Sequence, residues 1–200
     1  NAKHKLVGLQ ALDQLIVEMT YMTKMKNLTI NRRVSLSFRD AALGDIFTNN
    51  LQYTKILIEQ FGREFGTNSA ELDLTLDSLE VCLETYNKCL TFDFIAILLN
   101  ETLDEPSQTN LPTSWSKLVE NSETINVLFY AVKLLLEKMP FVQQNHQARY
   151  PKLKSLAFLG LKCLCEYANV RSTLFENKDT KGAFIGNFVQ NLIQLLTPST

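Results

Sequence analysis

The sequence predicts an all-α fold, a solenoid of stacked antiparallel helix pairs. Three observations predict it. Helix breakers are scarce, with 7 Gly and 5 Pro in 200 residues, which favours long helices over short strands. Apolar residues recur at steps of three and four through six segments, the period of one helix face. These segments also group in pairs joined by modest connections. Hydrophobic residues make up 46% and charged residues 20% of the chain, the balance of a globular protein. The net charge of −1 provides no general steering toward nucleic acid or an anionic membrane. No apolar run approaches the ~20 residues that span a bilayer, so neither direct nucleic-acid binding nor membrane insertion is expected.

The first helix is expected over 3–24, with Leu6, Leu9, Leu12, Ile16 and Met19 inward. A polar linker, TKMKNLTINRR, follows. The second helix begins at Ser37, an N-cap with Asp40 as its capping-box partner. It carries Leu43, Ile46, Phe47, Leu51, Ile58 and Phe61 to about Phe65, where Gly66 closes it. The third helix covers 69–90, capped by Asn68 and Glu71, with early acids that suit the helix dipole. TFDFIAILLN is a continuation or a short separate helix, and 100–113 is a loop by composition. The fourth helix starts at Ser122 and ends at Pro140. The fifth begins at Pro151, a favoured first-turn residue, and runs to Ala168; the sixth spans 180–196.

The pairs 37–66 with 69–90 and 122–139 with 151–168 have the size of HEAT-type repeats. The expected organisation is one HEAT-like segment over 1–200, stretched by an irregular insertion at about 91–121, with a closed bundle as the alternative. The chain does not begin with Met and its first residues already read as helix, so it is taken as a piece of a longer superhelix.

No catalytic motif stands out. His4 and His146 lack a metal-ligand cluster, and there is no phosphate-binding Gly loop or nucleophile elbow. The expectation is a non-enzyme with no cofactor and no metal. Cys82, Cys89, Cys163 and Cys165 fall inside helical patterns with no CxxC pair and read as reduced, buried thiols. The sequons at Asn27 and Asn100 read as chance. Lys24, Lys26, Arg32, Arg33 and Arg39 lie between Glu18 and Asp40 with no acid among them; they read as a solvated loop, or as a patch for an acidic partner. Trp115 reads as an anchor that pins the long loop, with a binding hot spot as the alternative.

The stretch ELDLTLDSLEVCLETY, residues 71–86, carries two stripes. Leu72, Leu76, Leu79, Leu83 and Tyr86 must be buried, which contributes on the order of 7–15 kcal/mol before entropy. Asp73, Asp77, Glu80 and Glu84 follow one residue later, about 100° round the helix. Five acids without a base between 71 and 84 exceed what a mixed solvated face carries. These four acids are the candidate partner-binding residues, on the surface where second helices of stacked pairs bind partners, or else simply a solvent face.

SFRDAALGDIF (37–47), CLTFDFI (89–95), LPTSWSKLVENSETINVLF (111–129) and ANVRSTLFENKDTKGAFI (168–185) resemble, in order and spacing, the exportin seven and Ran-binding protein family of karyopherin-β nuclear transport receptors. The resemblance covers most of 1–196. It implies a right-handed superhelix of HEAT repeats, with this chain an early-to-middle piece of a receptor several times longer. It implies export of protein cargo with Ran-GTP, contact with Phe-Gly nucleoporins, no catalysis, and shuttling between nucleus and cytoplasm. FRD and FDFI read as structural marks. KMPFVQQNHQARYPKLK (138–154) is longer than the family's usual connection at this place. An importin-type receptor and a HEAT scaffold without a transport role are the alternatives.

Overall fold

The three-four rhythm of apolar residues produces long rods in the computed structural model, which describes residues 1–21, 28–67, 69–92, 94 and 111–197. The helices are α1 (Ala2–Tyr21), α2 (Leu28–Phe38), α3 (Gly44–Glu64), α4 (Ala70–Thr91), α5 (Ser116–Glu120), α6 (Ser122–Asn145), α7 (Tyr150–Ala168) and α8 (Lys178–Leu196). They stack in two layers. α3, α6 and α8 form one layer, and α1, α4 and α7 form the other; α3 pairs with α4, and α6 with α7. This all-α arrangement of stacked pairs is the expected solenoid segment. Leu72, Leu76, Leu79, Leu83 and Tyr86 are all buried, in one continuous core that runs from Ile16 to Tyr167.

The ends of the helices correct several expectations. The region from Leu28 onward is helix, not linker, and passes through a π-helical turn at Arg39–Leu43 into α3. Ser37 is therefore no N-cap, and Asp40 accepts a 2.8 Å hydrogen bond from the Arg39 Nε in place of a capping box. The physical reason is a polar staple. Ser35 is fully buried, and its hydroxyl donates to the Met19 carbonyl at 2.6 Å. This ties α2 to α1 without an apolar stripe, while Ile30 and Val34 lie exposed. The basic residues Lys24 and Lys26, the sequons Asn27 and Asn100, the cap Asn68 and most of TFDFIAILLN lie outside the described residues.

Pro140 does not end the fourth helix, since α6 continues to Asn145. A mid-helix proline costs the bond to the carbonyl four residues back, here that of Leu136, on a side open to solvent. Tertiary packing beyond it offsets the loss: Val142 is buried, and Phe141 meets Phe65 edge-on at 5.3 Å. The extra length at 138–154 is thus mostly helix. Two caps lie next to those expected, and a third, for which none was expected, starts α8. Ser69 accepts from the Leu72 N–H, Asn121 from that of Glu123, and Asn177 with Thr180 forms a capping box that starts α8 at Lys178.

Trp115 is an anchor. It is 3% exposed, its ring lies 5.0 Å from that of Phe47, and its indole approaches Gly44 just past the π-helical turn. The Tyr167 hydroxyl donates to the carbonyls of Leu118 and Val119, and a Glu120 carboxylate oxygen accepts from the Glu176 N–H at 2.8 Å. Phe38 lies 6.2 Å from Phe94. Blocks far apart in the sequence thus converge at one end of the helix pairs.

Candidate functional site

α4 sits between α1 and α7 in its layer and is backed by α3. Its acidic line faces away from α3, and the structure divides that line into a clamped part and an open part. Asp73 is held by Arg149 in a two-pronged pair, with Nε to Oδ1 at 2.6 Å and Nη2 to Oδ2 at 3.1 Å. Asp77 pairs with Lys152 at 2.9 Å, and Glu80 pairs with the same ammonium. Glu84 is exposed and forms no hydrogen bond or ion pair among the described residues. Three of the four candidate acids therefore tie α4 to the start of α7. On the opposite flank, Lys88 reaches Asp13 of α1, and the Thr85 hydroxyl donates to the other oxygen of that carboxylate at 3.1 Å.

The electrostatics follow this geometry. The hydrogen bond from Arg149 is the main reason that Asp73 titrates below the ordinary carboxylate range, and it outweighs the desolvation of the carboxyl. Burial alone would depress Lys152, but the hydrogen bonds and charges of Glu80 and Asp77 win and raise its pKa. A signal for these partners is present in the sequence. The first turn of α7 holds no acid while it carries Lys152 and Lys154 just after Arg149. Cations at a helix N-terminus oppose the dipole, so they call for acids on a neighbouring element.

Little else offers chemistry. Among the described residues no group of three His, Cys, Asp or Glu side chains could hold a metal ion, and no helix is long and apolar enough to cross a membrane. Burial pushes the thiols of Cys82 and Cys163 up to about 12, and that of Cys89 higher still. A groove of about 390 Å³ opens between α3 and α6, lined by Lys55, Glu59, Glu123, Asn126, Val127 and the half-exposed Tyr130.

The likeness to known proteins runs end to end. The chain is 28% identical over 197 residues to Exportin-7-B of Xenopus laevis, covering 98% of the chain. It is 26% identical over 195 residues to Ran-binding protein 17 of Homo sapiens, covering 97% of the chain. Ran-binding protein 16 of Drosophila melanogaster is 25% identical over 201 residues, again covering 98% of the chain. The chain is a distant relative of the exportin-7 and Ran-binding proteins. It spans 16% of the length of these members of the exportin-7 group. No family model matches the chain, and no solved structure matches it. The acids of α4 lie on one face of the two-layer stack.

Proposed function

We propose that the chain is a segment of a nuclear transport receptor that carries protein cargo out of the nucleus with Ran-GTP. The observation that carries this reading is the likeness, over nearly the whole chain, to proteins named exportin and Ran-binding protein. The fold supports it physically. Stacked pairs offer long surfaces made of many modest interfaces, and each pair contacts only its neighbours, so bending can be shared along the stack. Ran and cargo then couple through their different affinities for two curvatures, each changing the other's binding by the same factor. The role is binding and not catalysis; the GTP is Ran's. The receptor shuttles between nucleus and cytoplasm and meets Phe-Gly nucleoporins on the way. The open groove between α3 and α6, where Val127 and Tyr130 lie among charged and polar residues, is the surface we assign to such motifs.

Within this reading, the open part of the α4 line, Glu84 with the outer edges of Asp73, Asp77 and Glu80, faces a basic partner surface. Charge of that kind raises association rate and specificity more than affinity. Glu84 is the clean probe, because reversing the other three would also break the clamp to α7.

The test is binding of the full-length protein to Ran loaded with GTP or GDP, together with cargo affinity with and without Ran-GTP. Preference for the GTP form, and cargo held more tightly in its presence, is the expected result. Cargo expelled by Ran-GTP would make the protein an importer. Indifference to Ran and to Phe-Gly peptides would leave a scaffold.

A further inference from the structure

We propose that Arg149 is a salt-sensitive latch that holds the α6–α7 pair in register with the α3–α4 pair. The guanidinium makes four hydrogen bonds. Two go to Asp73, one runs from Nη1 to the Thr67 carbonyl at 2.7 Å, and one runs from Nη2 to the Ser69 carbonyl at 3.0 Å. Arg149 thus grips both the start of α4 and the turn that leads into it. Both sides of the grip are stiff. The Thr67 hydroxyl donates to the Glu64 carbonyl at 2.8 Å, and Ser69 caps α4. Arg149 itself ends a 3₁₀ turn, with its N–H on the His146 carbonyl at 2.9 Å. One turn further along, Lys152 reinforces the grip through Asp77 and Glu80.

The two layers are held differently at this junction. Gly62 of α3 faces Leu134 of α6, Phe65 just past α3 meets Phe141, and the groove opens further along between Lys55, Glu59, Glu123 and Tyr130. The ion pair that crosses the groove, Lys55 with Glu123 at 3.3 Å, has both side chains nearly half exposed. The Arg149 side chain is 12% exposed, whereas Asp73 is 55% exposed. Salt therefore reaches the carboxylate readily and weakens the pair. The arginine, left without its partner, is costly to keep covered. The favourable response is to let α7 shift on α4 around the apolar contacts that remain. A fork that binds one carboxylate and two carbonyls at once needs the planar guanidinium, which a lysine cannot replace. This device does not depend on what the protein carries.

Hydrogen exchange read by mass spectrometry on the full-length protein tests it, at low and high salt. In the wild type, salt should speed exchange of the amides in 65–75 and 146–153 by about tenfold, the scale of losing a charge-assisted hydrogen bond. Arg149→Ala should exchange fast in 65–75 at both salts, with no further response, while 146–153 keeps only the smaller response of the Lys152 pairs. Arg149→Lys, which keeps the charge, should release at lower salt than wild type and keeps the test open should the alanine variant fail to fold. Lys55→Ala, in the other layer, should leave both stretches unchanged. Arg149→Ala that speeds exchange while the wild type ignores salt would reduce Arg149 to a fixed structural contact and overturn the latch. Salt sensitivity of 65–75 that persists undiminished in Arg149→Ala would overturn it as well.

Discussion

Gly160 on α7 packs tightly against Val132 of α6. A Cβ at this position would lie 2.6 Å from Val132 Cγ2, and real Cβ contacts essentially never fall below 3.0 Å. Val132 cannot give way easily. It is fully buried, and a β-branched side chain in a helix has one strongly preferred rotamer. Gly160→Ala gains about 1 kcal/mol of helix propensity but overpacks the interface, at a cost of roughly 1–3 kcal/mol. The clash lies at the severe end, so a net loss of about 1–2 kcal/mol is expected.

Two other helical glycines calibrate the argument. Gly186 on α8 has nothing within 4 Å of its added Cβ, so Gly186→Ala should keep the full gain of about 1 kcal/mol. At Gly62 the neighbour is Leu134 Cδ2 at 3.1 Å, the far end of a flexible chain, and Gly62→Ala should be close to neutral. Thermal unfolding followed by the helical circular dichroism signal should rank the variants 186, 62, 160 from most to least stable. The extremes should differ by roughly 5–10 °C at this chain length. In the Gly160→Ala background, Val132→Ala should cost less than it does alone, because it makes room for the new methyl. Gly160→Ala ranking level with Gly186→Ala would refute the claim that this contact decides the spacing of the pair.

The other expectations are more local. Trp115→Ala should cost about 3–5 kcal/mol, seen as early proteolytic cutting within 111–120, where the indole pins the chain against Phe47. Ser69→Ala and Asn177→Ala should each lose about 1 kcal/mol of helix stability, read as a lower unfolding midpoint. The depressed pKa of Asp73 means that its pair with Arg149 contributes fully above the unfolded value of about 4 and is lost as pH falls through the folded value. The raised pKa of Lys152 means that its contribution is full below about 10.4 and is lost as pH rises through the folded value. Acidification should therefore loosen 65–75 in the wild type but not in Arg149→Ala, by hydrogen exchange. Iodoacetamide should label the exposed Cys165 in the native state and spare the buried Cys82, Cys89 and Cys163.

Where apolar residues carry the packing, the sequence sufficed. The stripe from Leu72 to Tyr86 is buried as its period demands, and α3 pairs with α4 and α6 with α7 as the grouping of the segments implied. Two errors share one cause, the holding of a helix by contacts that leave no apolar period. α2 is fixed by the buried Ser35 hydroxyl, and α6 survives Pro140 because Phe141 and Val142 find partners on the far side. The acidic line was legible as a line, but its neighbours were not. Asp73 and Arg149 lie 76 positions apart, and only the stacking of α7 on α4 brings them together. The unfavourable cations at the start of α7 were the available hint.

Polar ties recur wherever one pair meets the next. Asp13 joins α1 to α4 through Lys88 and Thr85. Asp73, Asp77 and Glu80 join α4 to α7. Lys55 and Glu123 join α3 to α6, and the Asn191 amide of α8 donates to the Asn126 side chain of α6 at 3.1 Å. Inside each pair the packing is largely apolar, as where Phe47 meets Tyr86 at 4.3 Å and Val132 meets Gly160, with one buried polar tie from the Asn50 amide to the Cys82 carbonyl at 2.7 Å. The two kinds of contact answer differently to their surroundings. Apolar burial is non-directional and stays strong in salt. Partly exposed ion pairs are worth little each and are screened, yet they fix geometry. A stack built this way keeps its pairs as rigid units and confines change to the junctions. Many junctions, each shifting slightly, can then add up to a change in the whole stack, while the apolar core that runs across them keeps neighbouring pairs in contact.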